Sequence, residues 1–203
     1  MLAIAANDPE GLPITRYRYY TATTLDGFLA DEHHSLDWLF EQEGGDPVLD
    51  DSPVDYEPFL AAVGALVLGA STYRFILTQL EQGEDPGMPH NLPWFVFTHQ
   101  QLDAPVGDVT FLTGQPAQHR AQIEDAAGGR DVWMVGGGAL AADFAEAGML
   151  DDILLTFAPV TLGAGQPLFP RPFNLRLREH GRAGPFLTAV YDVLGRRPAP
   201  AAR

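Results

Sequence analysis

Two glycine-rich segments have the composition of a phosphate-binding turn. The first is Leu68-Gly69-Ala70-Ser71-Thr72 and the second is Gly136-Gly137-Gly138-Ala139; each follows an apolar run and precedes a helical pattern. Glycine lets the backbone approach a pyrophosphate closely, and the free N–H groups and dipole of the following helix stabilise its negative charge. A tight turn without a ligand would explain either segment alone. Two such helix starts in one sheet predict a dinucleotide that spans the crevice between them.

Two carboxylates are the candidate proton donors. Asp26 precedes Gly27 in the segment 24–30, and Asp37 precedes Trp38. An Asp-Gly pair is typical of a turn, and this is the alternative role of Asp26. Burial of Asp37 in a cleft beside the indole would raise its pKa enough for proton donation near neutrality. An exposed position on a surface helix is the alternative for Asp37.

The residue types that the chain lacks exclude several classes of reaction. It has no cysteine, which excludes thiol nucleophiles and disulfides, and no lysine, so that all 12 basic residues are arginine. A Schiff-base mechanism and a Walker-type phosphate loop both need a lysine amine. No serine lies in a Gly-x-Ser-x-Gly elbow, which argues against serine hydrolysis. His33 and His34 lack the spacing of a zinc site, so we expect no metal.

Charge and hydropathy restrict the partners and the location of the protein. The formal net charge is -15, and nucleic acids and anionic membranes would repel such a polyanion. No apolar run approaches the roughly 18 residues that cross a bilayer, and the first residues lack the basic start of a signal peptide. We therefore expect a cytoplasmic protein that binds a small molecule.

The elements that must position these residues follow the order of an α/β protein. Strands are predicted at 16–30 (interrupted at Asp26-Gly27), 65–68, 94–98, 109–113, 131–135 and 153–159, and helices at 36–42, 58–63, 73–79, 116–127 and 139–147. A hairpin around Gly181 and Gly184 would pair 173–180 with 186–193. This order predicts a mainly parallel central sheet flanked by helices, with an antiparallel C-terminal hairpin.

The length suits one such domain. We assign residues 16–195 to it and expect flexible tails at 1–15 and 196–203.

Four blocks of the sequence together resemble a known family. They are Thr24-Leu25-Asp26-Gly27-Phe28-Leu29-Ala30, Leu68-Gly69-Ala70-Ser71-Thr72-Tyr73, Gly136-Gly137-Gly138, and the stretch 147–169 with Pro159-Val160-Thr161-Leu162-Gly163-Ala164-Gly165. Their order and spacing are similar to those of the C-terminal reductase domain of the bifunctional riboflavin-biosynthesis deaminase-reductase. That domain belongs to the dihydrofolate-reductase-like superfamily.

The resemblance implies a dihydrofolate-reductase-like fold, NADPH as hydride donor, a cis peptide bond between Gly136 and Gly137, and a homodimer built through the C-terminal strands. It also implies site residues. Asp26 and Asp37 would face the substrate, Thr98 and His99 would lie near the adenosine ribose, and the pyrophosphate would be held by Gly69, Ser71, Thr72, Gly136, Gly137, Gly138 and Ala139. Because no arginine stands next to Thr98 and His99 in the sequence, only a modest preference for NADPH over NADH is expected.

The sequence does not determine the identity of the substrate. The riboflavin enzymes carry a lysine after Asp-Gly, where this chain has Phe28, and the chain has no counterpart of their deaminase domain, so we expect a stand-alone member. The resemblance implies an NADPH-dependent reductase of a small heterocyclic or sugar-linked pyrimidine. The alternatives are a dihydrofolate or pterin reductase and a non-catalytic nucleotide-binding protein of the same fold.

Overall fold

The computed structural model of the protein describes residues 15–42, 51–84, 87–104 and 107–198. Within these ranges strands and helices alternate as the sequence pattern predicts. The strands are β1 (Tyr17–Thr24), β2 (Phe28–Ala30), β3 (Val63–Gly69), β4 (Pro93–Phe97), β5 (Asp108–Leu112), β6 (Asp131–Gly136), β7 (Asp152–Ala158), β8 (Gln166–Pro167), β9 (Phe173–Ala183) and β10 (Phe186–Arg196). The helices are α1 (Asp37–Phe40), α2 (Tyr56–Ala62), α3 (Ala70–Glu81), a 3-10 helix (Pro116–His119), α4 (Arg120–Ala127) and α5 (Gly138–Glu146).

Eight of these strands form one sheet in the order β5-β4-β3-β6-β1-β7-β10-β9. In this sheet order, each strand from β5 through β7 is parallel to its neighbour. β10 pairs antiparallel with both β7 and β9. β2 and β8 pair with each other in a separate two-stranded sheet. The predicted mainly parallel sheet with an antiparallel C-terminal hairpin is confirmed.

Helices cover both faces of the sheet because the crossovers run in opposite directions. α3 leads from β3 to β4 on one side, whereas α5 leads from β6 towards β7 on the other. Parallel crossovers are right-handed, so helices that leave in opposite directions pack on opposite faces. Accordingly, Tyr73 and Ile76 of α3 belong to one core cluster, and Ala141 and Phe144 of α5 to the other. The carboxyl ends of β3 and β6 therefore flank a crevice, which is where open α/β sheets bind ligands.

The observed strands differ from the predicted strands in two details. The segment 16–30 divides into β1 and β2, which join different sheets. The prediction that the hairpin turns around Gly181 is wrong, since β9 continues through that residue and the chain turns at Gly184. Gly181 is buried against the backbone of Asp51, and a Cβ there would lie 2.9 Å from the Asp51 carbonyl carbon. Close backbone approach, rather than a turn, explains this glycine.

The predicted tails are described only in part. β10 includes Arg196, so the strand passes the predicted end of the domain by one residue. Residues 1–14 and 199–203 of the predicted tails lie outside the described residues. Each helix that the structure describes is too short or too polar to span a bilayer.

A buried carboxylate joins three strands at the opposite end of the sheet from the crevice. The side chain of Asp152, at the start of β7, has no exposed surface and pairs with Arg16 (2.8 Å), Arg18 (3.1 Å) and Arg178 (2.9 Å). Burying an ionised carboxylate is costly unless cations compensate it. This ion-pair cluster fastens β1, β7 and β9 at their shared end.

Candidate functional site

A cleft opens at the carboxyl ends of β3 and β6, where Leu68 pairs with Gly136. It encloses about 490 Å³, a usual size for a small-molecule site. The first turns of α3 and α5 form part of its wall, and the segment 29–39 forms another part. The described lining residues are Thr21, Ala22, Leu29, Ala30, His34, Leu36, Trp38, Leu39, Gly69, Ala70, Ser71, Thr72, Phe75, Val135, Gly136, Gly137, Gly138, Ala139, Leu140, Gln166, Pro167 and Pro170.

The first turn of α3 places Gly69, Ser71 and Thr72 along the cleft. Gly69 immediately precedes the helix, and no side chain caps the helix N-terminus. The first amide N–H groups of α3 therefore have no intrahelical partner. Tyr73 follows on the buried side, where its hydroxyl donates to the Asp103 carbonyl oxygen (2.8 Å) and anchors the turn.

The first turn of α5 forms the adjacent wall. The peptide bond between Gly136 and Gly137 is cis, as the resemblance implies. Gly137 has an extended backbone (φ -92°, ψ 179°), and a Cβ there would meet no atom within 4 Å. A Cβ on Gly138 would instead lie 2.8 Å from the Leu168 carbonyl carbon, closer than Cβ atoms normally approach other atoms. Glycine at 138 is thus required by packing, whereas the space beside Gly137 is open.

The two helix N-termini together suit an anionic group. Neither carries a side-chain cap, and a Cβ built on Gly69 would lie only 3.8 Å from the amide nitrogen of Gly137. Free N–H groups and the positive ends of two helix dipoles therefore converge on one cleft. No arginine among the described residues lines the cleft, and at the two helix starts the donors available to an anion are backbone N–H groups and the Ser71 and Thr72 hydroxyls.

Asp26 lies outside the cleft lining and is engaged in a turn. Its carboxylate accepts hydrogen bonds from the Thr24 hydroxyl (2.5 Å) and from the amides of Gly163 (2.7 Å) and Leu162 (3.1 Å). These bonds, that of Thr24 foremost, lower the pKa of the Asp26 carboxyl below its ordinary value. A proton donor at neutral pH needs a raised pKa. The geometry suits the alternative role, in which Asp26 fastens the loop after β7 to the end of β1.

Asp37 also lies outside the lining, and its side chain is exposed. The short helix α1 buries the next residue, Trp38, to 6% exposure and leaves Asp37 in solvent. The expectation of a carboxyl buried beside the indole is therefore not met, because consecutive helix residues point in different directions. The catalytic roles of Asp26 and Asp37 stay predictions.

Thr98 and His99 follow β4 and are not part of the described lining. The buried Thr98 hydroxyl accepts the N–H of Gln100 (2.9 Å), and His99 is exposed. Arg74 of α3 donates to the Gln100 side-chain oxygen, which brings a guanidinium group to this segment. An arginine from a distant part of the sequence therefore lies next to this segment, although none is adjacent in the sequence, and the modest preference for NADPH stays a prediction.

The wall formed by residues 29–39 was predicted only in part, as an aromatic surface at Trp38 beside a cleft. His34 has φ 64°, in the left-handed region, which is uncommon for a residue other than glycine. The Asp31 carboxylate stabilises this conformation by accepting the backbone N–H groups of His33 and Ser35, both at 2.8 Å. An aspartate at this spacing is a turn signal that the sequence does contain. The local pattern did not predict that this turn would bring Leu29, Leu36 and Leu39 to the cleft together with Trp38.

Comparison with known proteins identifies relatives of this chain. The family described as the RibD C-terminal domain matches residues 18–186. Uncharacterized protein YwjB of Bacillus subtilis (strain 168) is 32% identical over 164 residues, which cover 78% of this chain and 87% of YwjB.

Two solved structures show the fold. A candidate riboflavin biosynthesis protein from Shewanella sp. PV-4 superposes with a TM-score of 0.67 at 23% identity, over 88% of this chain and 99% of that chain. Dihydrofolate reductase from Enterococcus faecalis, in complex with NADP(H), superposes with a TM-score of 0.54 at 16% identity, over 88% and 96% of the two chains. The expected dihydrofolate-reductase-like fold is confirmed.

Proposed function

Because the chain belongs to the RibD C-terminal domain family, we propose that it is an NADPH-dependent reductase of a small heterocyclic or sugar-linked pyrimidine substrate. The observation that carries this proposal is the pair of uncapped helix N-termini that meet at one cleft. Two such termini at the switch point of a parallel sheet suit the pyrophosphate of a dinucleotide.

The residues around the cleft fit the cofactor. The pyrophosphate would be held by backbone N–H groups and hydroxyls of Gly69, Ser71, Thr72, Gly136, Gly137, Gly138 and Ala139. A side chain at position 137 would fill the open space beside this glycine. Arg74, next to the segment of Thr98 and His99, would pair with a 2′-phosphate and so favour NADPH over NADH. When bound, the reduced nicotinamide supplies a hydride to a C=N or C=O carbon of the substrate.

The protein positions the cofactor and the substrate in a cleft with apolar walls. Apolar side chains from the segment 29–39 and from α3 line the cleft, and exclusion of water by a bound substrate would strengthen the electrostatic interactions made there. No carboxylate among the described residues lines the cleft. We therefore propose a bound water as the source of the proton that accompanies hydride transfer. The alternatives are the imidazole of His34, which lines the cleft, and the carboxylates Asp26 and Asp37 predicted from the sequence.

The test is a measurement of cofactor binding followed by one of turnover. NADPH is titrated against intrinsic tryptophan fluorescence, and its oxidation is then followed with a panel of pterins and pyrimidines. Turnover of a pyrimidine or related heterocycle supports the proposal. Turnover of dihydrofolate alone indicates a pterin reductase, and tight binding without any turnover indicates a non-catalytic nucleotide-binding protein. Absence of NADPH binding refutes the proposal.

We further propose a homodimer joined through the C-terminal hairpin. β9 is the outer strand of the sheet, and Leu175 and Leu177 on one of its faces are 41% and 50% exposed. A long, partly apolar edge strand is normally covered. Sedimentation equilibrium should give a dimer, and Leu177→Glu should give a monomer. Leu25→Glu, at a position 68% exposed beside the Asp26 turn, serves as the control and should leave the mass unchanged.

A further inference from the structure

The loop after β7 joins two walls of the cleft. We call residues 162–168 the bridging loop, residues 29–39 the substrate wall and residues 136–138 the cofactor turn. The bridging loop contains β8, which lines the cleft and pairs antiparallel with β2 at the start of the substrate wall. The Leu168 amide adds a hydrogen bond to the Gly27 carbonyl oxygen (2.9 Å). One side of the loop is therefore bonded to the segment that leads into the substrate wall.

Gly165 brings the backbone of the loop into direct contact with this wall. Its φ is 151°, in the region that favours glycine. A Cβ there would overlap the Ala30 carbonyl oxygen and would lie 3.2 Å from Cα of Asp31. Asp31 is the residue whose carboxylate stabilises the turn at His34. The contact leaves no room for a side chain, so a shift of the loop would also shift the wall.

The other side of the loop packs against the cofactor turn. Gly138 is buried, and a Cβ there would overlap the Pro167 carbonyl oxygen and lie 2.8 Å from the Leu168 carbonyl carbon. The same short stretch of backbone thus contacts both β2 and the first residue of α5. Closely packed interiors compress little and transmit displacement. The bridging loop therefore sets the distance between the substrate wall and the cofactor turn.

Asp26 anchors the first residues of the bridging loop. Its carboxylate accepts the amides of Leu162 and Gly163, and it accepts the hydroxyl of Thr24, a fully buried residue at the end of β1. Hydrogen bonds from backbone N–H groups to a carboxylate are charge-assisted and stronger than neutral ones. They connect the loop to the central sheet.

We propose that Asp26 is a positioning residue, which anchors the bridging loop and so holds the substrate wall against the cofactor turn. Binding of the nicotinamide cofactor at the turn then orders the wall through the loop, which lowers the ordering cost that a substrate meets there. This inference rests on the proposed function for the identity of the cofactor turn. The carboxylate acts through the loop, which agrees with its place outside the cleft lining.

Hydrogen exchange of the full chain, with and without saturating NADPH, measures this coupling. In the parent protein NADPH should slow exchange of the amides at 137–140 and also at 29–39. In Asp26→Ala the first effect should persist, whereas the slowing at 29–39 should be about threefold smaller or less, as expected for the loss of one or two hydrogen bonds. Asp125→Ala removes an exposed aspartate of α4 and should keep both effects.

The outcomes separate the proposal from its alternatives. A carboxylate that only stabilises the fold would lower the Tm of Asp26→Ala and leave the slowing at 29–39 unchanged, and that result overturns the proposal. Absence of slowing at 29–39 in the parent, with slowing at 137–140, also overturns it. Absence of NADPH binding contradicts the proposed function itself, and the proposal falls with it. Asp26→Asn, which keeps one acceptor oxygen, replaces Asp26→Ala if the latter does not fold.

Gly165→Ala tests the coupling from the loop side, because it leaves the carboxylate of Asp26 in place and forces the loop away from Ala30. It should also reduce the slowing at 29–39 and keep that at 137–140. Gly128→Ala is the matched control, since Gly128 has a positive φ of 61° but open space around it, at the end of α4. Full slowing at 29–39 in a folded Gly165→Ala protein overturns the proposal.

The pH dependence of turnover distinguishes positioning from proton donation. On a working substrate Asp26→Ala should raise the KM and leave the shape of the pH profile of kcat unchanged, because the carboxylate gives no proton to the substrate. Loss of a titrating limb from this profile in Asp26→Ala would identify the carboxylate as the acid and overturn the proposal.

Discussion

Gly137 and Gly138 are adjacent glycines of the same turn, and the structure predicts opposite consequences of replacing them. Gly137 has an extended backbone that any residue adopts, and a Cβ there meets no atom within 4 Å. A Cβ on Gly138 overlaps the backbone of Pro167 and Leu168. Gly137→Val should therefore reduce cofactor binding without unfolding the protein, and Gly138→Ala should destabilise it.

The magnitudes follow from these contacts. A side chain at position 137 would keep a phosphate from the first N–H groups of α5, and loss of one charge-assisted hydrogen bond costs about 1.5–3 kcal/mol. The dissociation constant of NADPH should rise about tenfold to a hundredfold, at 1.4 kcal/mol per tenfold. Overpacking at position 138 typically costs about 1–3 kcal/mol. For a protein of this size, a loss of 2 kcal/mol lowers the Tm by about 4–8 °C.

The assay is a fluorescence titration with NADPH for each variant, alongside a thermal melt. Trp133 is a convenient reporter because it lies on β6, which leads into the turn. The reasoning is refuted if folded Gly137→Val binds NADPH as tightly as the parent chain, since the glycine turn would then not belong to the cofactor site. A Gly138→Ala protein with an unchanged Tm would show that the loop after β8 moves away readily.

Four further predictions concern charged residues. Arg74→Gln should weaken NADPH binding about tenfold and leave NADH binding unchanged, as measured by parallel titrations; equal effects on both cofactors would contradict a 2′-phosphate contact. Asp152→Asn leaves three arginines without their buried carboxylate and should cost about 3–5 kcal/mol of unfolding free energy in urea, so a loss below about 1 kcal/mol would contradict the importance of the cluster. The folded-state pKa of Asp26 lies below the ordinary 3.8, so its contribution to stability is present above that pH and is lost as pH falls through the folded-state pKa. The Tm of Asp26→Asn should therefore be below that of the parent at neutral pH and converge with it in acid, and a constant difference would contradict this. Turnover of Asp26→Asn and Asp37→Asn on a working substrate tests the catalytic role of each carboxylate, since loss of a general acid typically costs about a hundredfold.

Local sequence patterns were sufficient to predict most of the elements and the class of fold. Apolar runs such as 65–68 and 131–135 mark buried strands, because strands covered by helices on both faces are apolar throughout. The glycines at 69 and 136–138 mark the turns that follow two of these strands. Alternation of strands and helices fixes a mainly parallel sheet, since parallel neighbours need crossover connections.

The tertiary structure alone decided which of these residues meet. Leu68 and Gly136 are far apart in the sequence and become partners only because β3 and β6 are neighbours in the sheet. Arg74 reaches the segment of Gln100 through the packing of α3, which no local pattern encodes. The rotation of α1, set by packing of Trp38, turned the indole into the cleft and left Asp37 in solvent. Residue type and periodicity specify what a segment becomes, whereas strand order and helix rotation depend on contacts between distant segments, and these contacts placed the side chains of the site.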